Sequence, residues 1–475
     1  MSYGLYIGRN HSTSGYAWLA GYGDEPSSHW LEIVPRKSHA PGSTVTVGVT
    51  PQARLPGELS TIPQVHETAR LLCVSYSHYL GVPAPITNGG LNEFGVAVRD
   101  IWSPSRAELI NRTPANQRGP NYSDLARLVL ERARTAREGV NIIANLISEH
   151  GYSCYGGNSH IIADPEEGFV VIEFSGGLGL WVAERLGPDS IRASRPGYIG
   201  EIPPEPNEDF LFPDHFIGTA ADFGWYEESS GRFNVNTVYG DGKGRWEGQE
   251  WIEEEMRRRS ARPEKIGFAD VVWAIATEKL TGDTAGYGQI VPLVHPSHAA
   301  LRVMWHAPVG PVAAPLVPVF MGMTDVPVEH ARHRYLTDHE ASRFQDLRKA
   351  IENPEAVSHV PQGVEISRSA VQIFKQLMHA AFQDGEATVS NLSDLWRAYE
   401  ANVAVELPSV LRSAEILIEA GRLDLAIRLL TDFSRTRLQS TLAMADPLLR
   451  SLEVKLTVLG RLNMTTLHAA PEQIW

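Results

Sequence analysis

The first 24 residues, MSYGLYIGRNHSTSGYAWLAGYGD, carry a strand, a turn and a second strand with no lead-in. Leu5 and Ile7 alternate with small or polar neighbours, His11 to Gly15 has turn chemistry, and an apolar run resumes from Tyr16 to Tyr22. That is the pattern of a β-hairpin. A chain opening this way has its first residues tied into a sheet, where they cannot fray. Two more strand candidates, Trp30 to Pro35 and Thr44 to Val49, are rich in β-branched and aromatic residues and bounded by Pro or Gly. The first fifty residues therefore read as β.

Further along, Val65, Ala69, Leu72, Cys73 and Tyr76 stand at helical spacing and predict a helix over Ile62 to Tyr79. PITNGGLNEFGVAVRD brings Gly-rich turn chemistry before another strand. NYSDLARLVLERARTAREGVNIIANLISEHG predicts two helices, the first capped by Ser123 and the second ending at Gly151. SHIIAD, GFVVIEF and LGLWVAE read as a three-strand meander. Residues 196 to 245 are loop-rich in Pro and Gly, suited to a substrate site or an intersubunit contact. Trp251 to Arg262 and Phe268 to Leu280 read as helices, ALRVMWHAPVG and PLVPVFMG as strands, and residues 338 to 460 as almost wholly helical, with Val410, Leu411, Ala414, Leu417, Ile418, Leu425, Leu429 and Leu430 marking buried faces. Antiparallel sheets with segregated helices make an α+β fold and exclude a βαβ alternation. We place a sheet-and-helix domain over 1–330 and a helical extension over 331–475.

Composition narrows the partners. Lys plus Arg number 42 against 56 Asp plus Glu, a net charge of −14. That field repels a phosphate backbone or an anionic membrane surface, so neither nucleic acid nor membrane is an expected partner. Two cysteines, Cys73 and Cys154, are too few for a disulfide framework, and with no signal-peptide pattern at the start they fit a reducing cytoplasm. A homo-oligomer is compatible with all of this.

The familiar catalytic signatures GxSxG, HExxH and GxxxxGK[ST] are missing. His295 with His298 and His330 with His333 have no third ligand near them in sequence, so no metal is assigned, and GGLGLWVAE lacks the helix and acidic residue of a dinucleotide site. No cofactor is expected. What remains is Ser2. Removal of Met1 ahead of so small a residue gives an N-terminal serine holding nucleophile and base in one residue. Its α-amine, with an ordinary pKa of about 7.7–8.0, can accept the hydroxyl proton directly or through one water. That works only on a rigid N-terminus.

SYGLYIGRN, then GYAWLAGYGD, GGLNEFGVAV, AREG, NSHIIADPEEGFVVIEFSGG and RFNVNTVYGDGKGRW, in that order, resemble the cysteine dipeptidase family of N-terminal-nucleophile (Ntn) hydrolases, which includes the dipeptidase A-type enzymes and the secernins. YGQIVPLVHPSHAALRVMWHAPVG is similar to that family's penultimate strands. The resemblance spans roughly residues 2 to 330. It implies an αββα sandwich of antiparallel sheets and an amide-hydrolysing site in which Ser2 stands where the family has Cys, Gly8 at the family's glycine, and Asp24 at its acidic position. It further implies Asp24 holding the amine, Asn92 donating to the oxyanion, and Asn158 and Arg245 binding substrate. Gly21 departs from it, falling where the family often carries an arginine; Arg9, Arg99 and Arg245 are candidates to replace that cation, and Arg99 is also a candidate substrate binder. Cys154 is a rival nucleophile, whereas Cys73 reads as a helix-core thiol.

The substrate implied is a small amide or short peptide. Acyl transfer to an amine shares the same acyl-enzyme, and a catalytically silent binding protein on the same fold is the reading that Gly21 favours. Trp30, Trp102, Trp181, Trp225 and Tyr226 are candidates for an aromatic pocket lining.

Overall fold

The computed structural model describes residues 2–23, 29–76, 81–83, 85–227, 229, 231–332 and 369–460. The opening hairpin forms as expected: β1 (Tyr3–Ile7) and β2 (Ala17–Tyr22) pair antiparallel. They lie inside a six-stranded antiparallel sheet of order β14 (Ile191–Ser194), β1, β2, β18 (Gly288–Leu293), β19 (Val303–Ala307) and β20 (Val317–Phe320). The second sheet has eight strands in the order β16 (Phe210–Leu211), β13 (Trp181–Leu186), β12 (Gly168–Glu173), β11 (Asn158–Ala163), β10 (Ala97–Ile101), β9 (Ile86–Asn92), β8 (Leu71–Tyr76) and β3 (His29–Val34). Three two-stranded ribbons complete the strands: β4 (Lys37–Ser38) with β7 (Glu67–Thr68), β5 (Thr44–Val47) with β6 (Ser60–Pro63), and β15 (Glu201–Ile202) with β17 (Phe233–Asn234).

The sheets face one another across an apolar layer to which Tyr6, Ala17, Leu19, Ile101, Ile161, Val170, Val291 and Val319 contribute. Glycine sets how closely they approach. A Cβ on Gly4 would stand 2.9 Å from the Cδ1 atoms of both Ile101 and Ile161. Helices cover the outer faces. After a short α1 (Ala107–Arg112), α2 (Tyr122–Arg132) and α3 (Ala136–His150) bury Leu125, Val129, Val140 and Ile143 against the eight-stranded sheet. The loop-rich stretch holds two short helices, α4 (Phe216–Asp222) and α5 (Val235–Tyr239). Two longer ones, α6 (Glu247–Ser260) and α7 (Phe268–Ala276), pack on the outer face of the six-stranded sheet. There they are joined by α8 (Ala370–Asp384), α9 (Glu386–Glu419) and α10 (Leu423–Val458). The layers run α, β, β, α, so the expected α+β sandwich is the observed one. No helix among the described residues is long and apolar enough to cross a membrane.

Two local readings are corrected. Where a helix is expected over Ile62 to Tyr79, the described residues to 76 form no helix but the end of β6, then β7 and β8: β8 is buried along its whole length, with Leu72 and Val74 facing the other sheet and Leu71 and Cys73 facing the α2–α3 layer. A strand apolar on both faces has no period of two, so its residues mimic helical spacing. The cap of α2 is Asn121, not Ser123. Asn121 Oδ1 accepts from Asp124 N (3.0 Å) and Asp124 Oδ2 from Asn121 N (3.1 Å), while Ser123 Oγ accepts from Thr87 N (2.8 Å) and ties the helix to β9.

Candidate active site

Tyr3, Leu5 and Ile7 of β1 enter the core under the helices, and Tyr6 enters the layer between the sheets. Strand alternation therefore puts the half-buried Ser2 on the inter-sheet side, with Gly4 and Tyr6. Both edges of β1 are paired, to β14 and to β2. The end of the hairpin is clamped as well: Gly23 N donates to Tyr287 O (2.7 Å), Gly286 N donates to Gly23 O (2.9 Å), and the Tyr3 and Tyr22 rings stand 5.4 Å apart. Ser2 thus begins a strand fixed on both sides, the rigidity that an N-terminal nucleophile needs.

Across the six-stranded sheet, Ser194, Gly4, Gly21, Gln289 and His306 stand in one row of the register. Two residues further on, past the row of Tyr3, Tyr22, Gly288 and Ala307, the same register continued aligns Ser2, Gly23, Tyr287 and Pro308 on the same face, with the His29 Nε2 from the opposite sheet 2.6 Å from Pro308 O. Arg99 of β10 reaches into this region from the opposite sheet. It is 0% exposed. Its guanidinium carbon lies 4.8 Å from the Tyr287 ring centroid, and Nη1 donates to Gln289 Oε1 at 3.5 Å. Among the described residues its Nε and Nη2 have no hydrogen-bond partner and no carboxylate pairs with it. The Asp100 side chain turns to the other face, where it accepts from Asn158. His306 is also buried, and among the described residues its Nδ1 has no partner. Burial, with His330 and His29 nearby, holds its pKa well below the usual histidine value, so the ring is neutral.

Gly21 has a physical reason. A Cβ there would lie 2.0 Å from Tyr3 O, so this pairing of β1 and β2 admits no side chain at all. Of the candidates to supply a cation instead, Arg9 lies at the far end of β1 and is tied to Glu166 on the surface (3.1 Å). Arg245 is tied to Glu253, which also accepts from Ala193 N (2.8 Å) and pairs with Arg257 (2.9 Å). Arg245 therefore braces β14 from the helical side, and its charge is already balanced. Arg99 alone of the three stands between the sheets.

Other expected residues do different work. Asn92 is buried, with Nδ2 donating to Leu130 O (3.0 Å) and Ala133 O (2.7 Å) and Oδ1 accepting from Phe94 N (3.0 Å) and Val96 N (2.9 Å). All its capacity is spent on holding a turn to the end of α2, so the oxyanion role is withdrawn. Asn158 donates to Asp100 and accepts from Tyr155 OH (2.9 Å), on the helix-covered face of the eight-stranded sheet, away from Ser2. That placement removes it from substrate contact. Beside it, His160 Nδ1 lies 2.8 Å from Glu173 Oε1 and Nε2 lies 3.0 Å from Tyr122 O. Both nitrogens face acceptors, so the ring carries both protons. Burial opposes that charge, but Glu173 and Asp100 outweigh it and raise the pKa to about 9.

Asp24 and His333 lie outside the described residues. Cys154 is buried, its Sγ 3.5 Å from Gln117 Oε1 and 3.9 Å from the Thr113 hydroxyl, with no base among its hydrogen-bond partners. Burial pushes the Cys73 thiol up to about 12, which makes it inert, although it is a strand thiol rather than a helical one. His295 bonds Glu166 (2.9 Å) and His298 accepts from Ala300 N (3.1 Å). The aromatic candidates do not gather at one place: Trp181 lies under α3, and Trp225 and Tyr226 pack with Tyr239 and Phe233. Sequence reading passed over Gln289, Tyr287 and His306. Gln289 left a signal, being the one strongly polar residue in the stripe it shares with Val291 and Leu293.

Residues 86–246 match the model of peptidase family C69. The matched span holds Arg99, Asn158 and Arg245 and does not reach Ser2. The chain is 30% identical over 153 residues to a "Probable dipeptidase B" of Streptococcus pyogenes serotype M3, and 29% identical over 153 residues to that of serotype M1. Each alignment covers 32% of this chain and 30% of the relative, so the chain spans less than a third of the length of the curated relatives it matches. Among solved structures, it is similar to a mutant of the conjugated bile acid hydrolase of Clostridium perfringens, with 9% identity and a TM-score of 0.35 over 68% of this chain and 94% of that one. A second variant of the same hydrolase gives 10% identity and a TM-score of 0.30 over 68% and 93%.

Proposed function

We propose that this chain is an amide-bond hydrolase acting on short peptides, with Ser2, freed by removal of Met1, as nucleophile. The observation that carries the reading is the position of Ser2, at the head of an internal strand and on the face between the sheets. The dipeptidase relatives and the family match over 86–246 support the substrate class. Ser2 Oγ attacks the carbonyl carbon while its proton passes to the Ser2 α-amine. The C–N bond breaks and the leaving amine takes that proton. Water then attacks the ester, giving its proton to the α-amine, and the ester C–O bond breaks as Oγ regains a proton. Asp24 is proposed to orient the amine.

Intact mass of the purified chain should show loss of Met1. Ser2→Ala should keep the melting temperature and lower kcat on dipeptides by about a thousandfold or more. Activity should rise with pH through about 7.7–8.0 as the amine loses its proton. Full turnover by Ser2→Ala, or by protein retaining Met1, overturns the mechanism.

A further inference from the structure

Arg99 is the least compensated charge in the region between the sheets. It is fully buried, and among the described residues no carboxylate pairs with it. What it has instead is the Tyr287 ring and one long bond to Gln289. Burying a guanidinium without an anion is costly, and native folds rarely leave it so. Nε and Nη2 lie on one edge of the guanidinium plane and form a fork whose spacing matches the two oxygens of a carboxylate. Around it the six-stranded sheet offers little bulk: Gly4, Gly21 and Gly23 place no side chain on their part of the floor. The row through Gly4 and Gly21 holds two more buried polar atoms that have no partner among the described residues, Ser194 Oγ and His306 Nδ1. Tyr287, over which the guanidinium sits, is two strands from Ser2 in the shared row, about 10 Å at the usual strand spacing.

We infer that the site takes amides bearing a carboxylate, and that the Nε–Nη2 edge of Arg99 is its receptor, making Arg99 a specificity-determining residue. This rests on the hydrolase reading, which it deepens by naming the charge on the substrate. The carboxylate comes either from a peptide C-terminus or from an acidic side chain.

Binding tests this separately from turnover. The full chain carrying Ser2→Ala is titrated calorimetrically with alanylalanine, with alanylalanine amide, and with alanylglutamate α-amide, whose only carboxylate is on the side chain. One of the two acids should bind about ten- to a hundredfold more tightly than the neutral amide, and which one does so identifies the source. Adding Arg99→Met should bring that ratio close to one, and Arg99→Lys, which keeps the charge but loses the fork, should restore only part of it. Arg99→Met should melt no lower than the parent, because it removes a buried charge without orphaning a carboxylate among the described residues. Equal binding of acids and amide, an unchanged ratio in Arg99→Met, or a lowered melting temperature with the preference intact overturns the inference. Carboxylate preference together with full turnover by Ser2→Ala would instead overturn the nucleophile and leave the receptor standing.

Discussion

Gly21 shows how one residue can carry both a structural demand and a functional consequence. The β1 backbone comes so near that a methyl group at residue 21 would have to displace Tyr3 O, the carbonyl next to Ser2. Gly21→Ala should therefore cost about 1–3 kcal/mol, the range for overpacking a tight interior. With Ser2 as the proposed nucleophile, it should also lower activity, because the displaced strand is the one that Ser2 leads into. Thermal melts and kcat on dipeptides check both, and a wild-type melt with wild-type activity would show that the pairing yields freely. The sequence made Ser2 visible by its place ahead of a strand, and Arg99 as one of three candidates, with Arg9 and Arg245, for the cation that Gly21 lacks. It could not separate Asn92 and Asn158 from them. A polar residue next to a strand advertises its chemistry but not which side of the sheet it serves, and both asparagines serve the helix-covered side.

At the scale of elements, the C-terminal helices were legible from their wet face, and the N-terminal hairpin and the β11–β12–β13 meander, although largely buried on both faces, from the Gly, Pro and polar turn segments that bound their short strands. β8 was not, since it sits between layers and is apolar on both faces. How α9 docks was equally hidden, because it depends on partners far away in sequence. Trp396 Nε1 donates to Ala313 O (2.9 Å), and Glu400 Oε1 accepts from Leu316 N (2.7 Å) and from Arg397 Nη2 (2.9 Å), so the helix is pinned to the segment leading into β20. Glu400→Ala takes the carboxylate from the half-buried Arg397, which among the described residues keeps only Pro311 O (2.9 Å), and leaves the buried Leu316 N–H without its acceptor, and should cost about 3 kcal/mol. Glu400→Gln keeps an acceptor for Leu316 N and should cost less than half as much. Urea denaturation of the two variants reads the difference, and equal losses would mean that packing around Trp396, not the polar pin, holds the helix.

Across the whole molecule, buried titratable groups divide the pH axis. His160 has its folded pKa raised to about 9 from 6.5, so its contribution is fully present below 6.5 and is lost as pH rises through 9. Burial raises Asp100 to about 6 and Glu400 to about 7, and their contributions are likewise lost on the way up, between 3.8 and 6 and between 4.5 and 7. His330 is lowered by burial to about 4 and His306 further, so theirs are present above 6.5 and lost as pH falls. Below neutrality the two carboxyls and the two histidines oppose each other and the slope is shallow. Above it His160 carries most of the window from 7 to 9, with Glu400 completing its titration just above 7 and the Cys73 thiol, raised to about 12 by burial, adding only near 9. Stability should therefore fall from pH 7 to 9.5 by a few kcal/mol, since a tenfold difference in proton affinity between the folded and unfolded chain is worth about 1.4 kcal/mol. His160→Gln should be less stable at pH 7 and nearly flat over that window, because the replaced ring was the group losing its proton. Urea midpoints at pH 7, 8 and 9 for the two proteins measure it directly. A variant whose midpoint declines as steeply as the parent's would assign the alkaline limb to another group and leave His160 neutral between Glu173 and Tyr122.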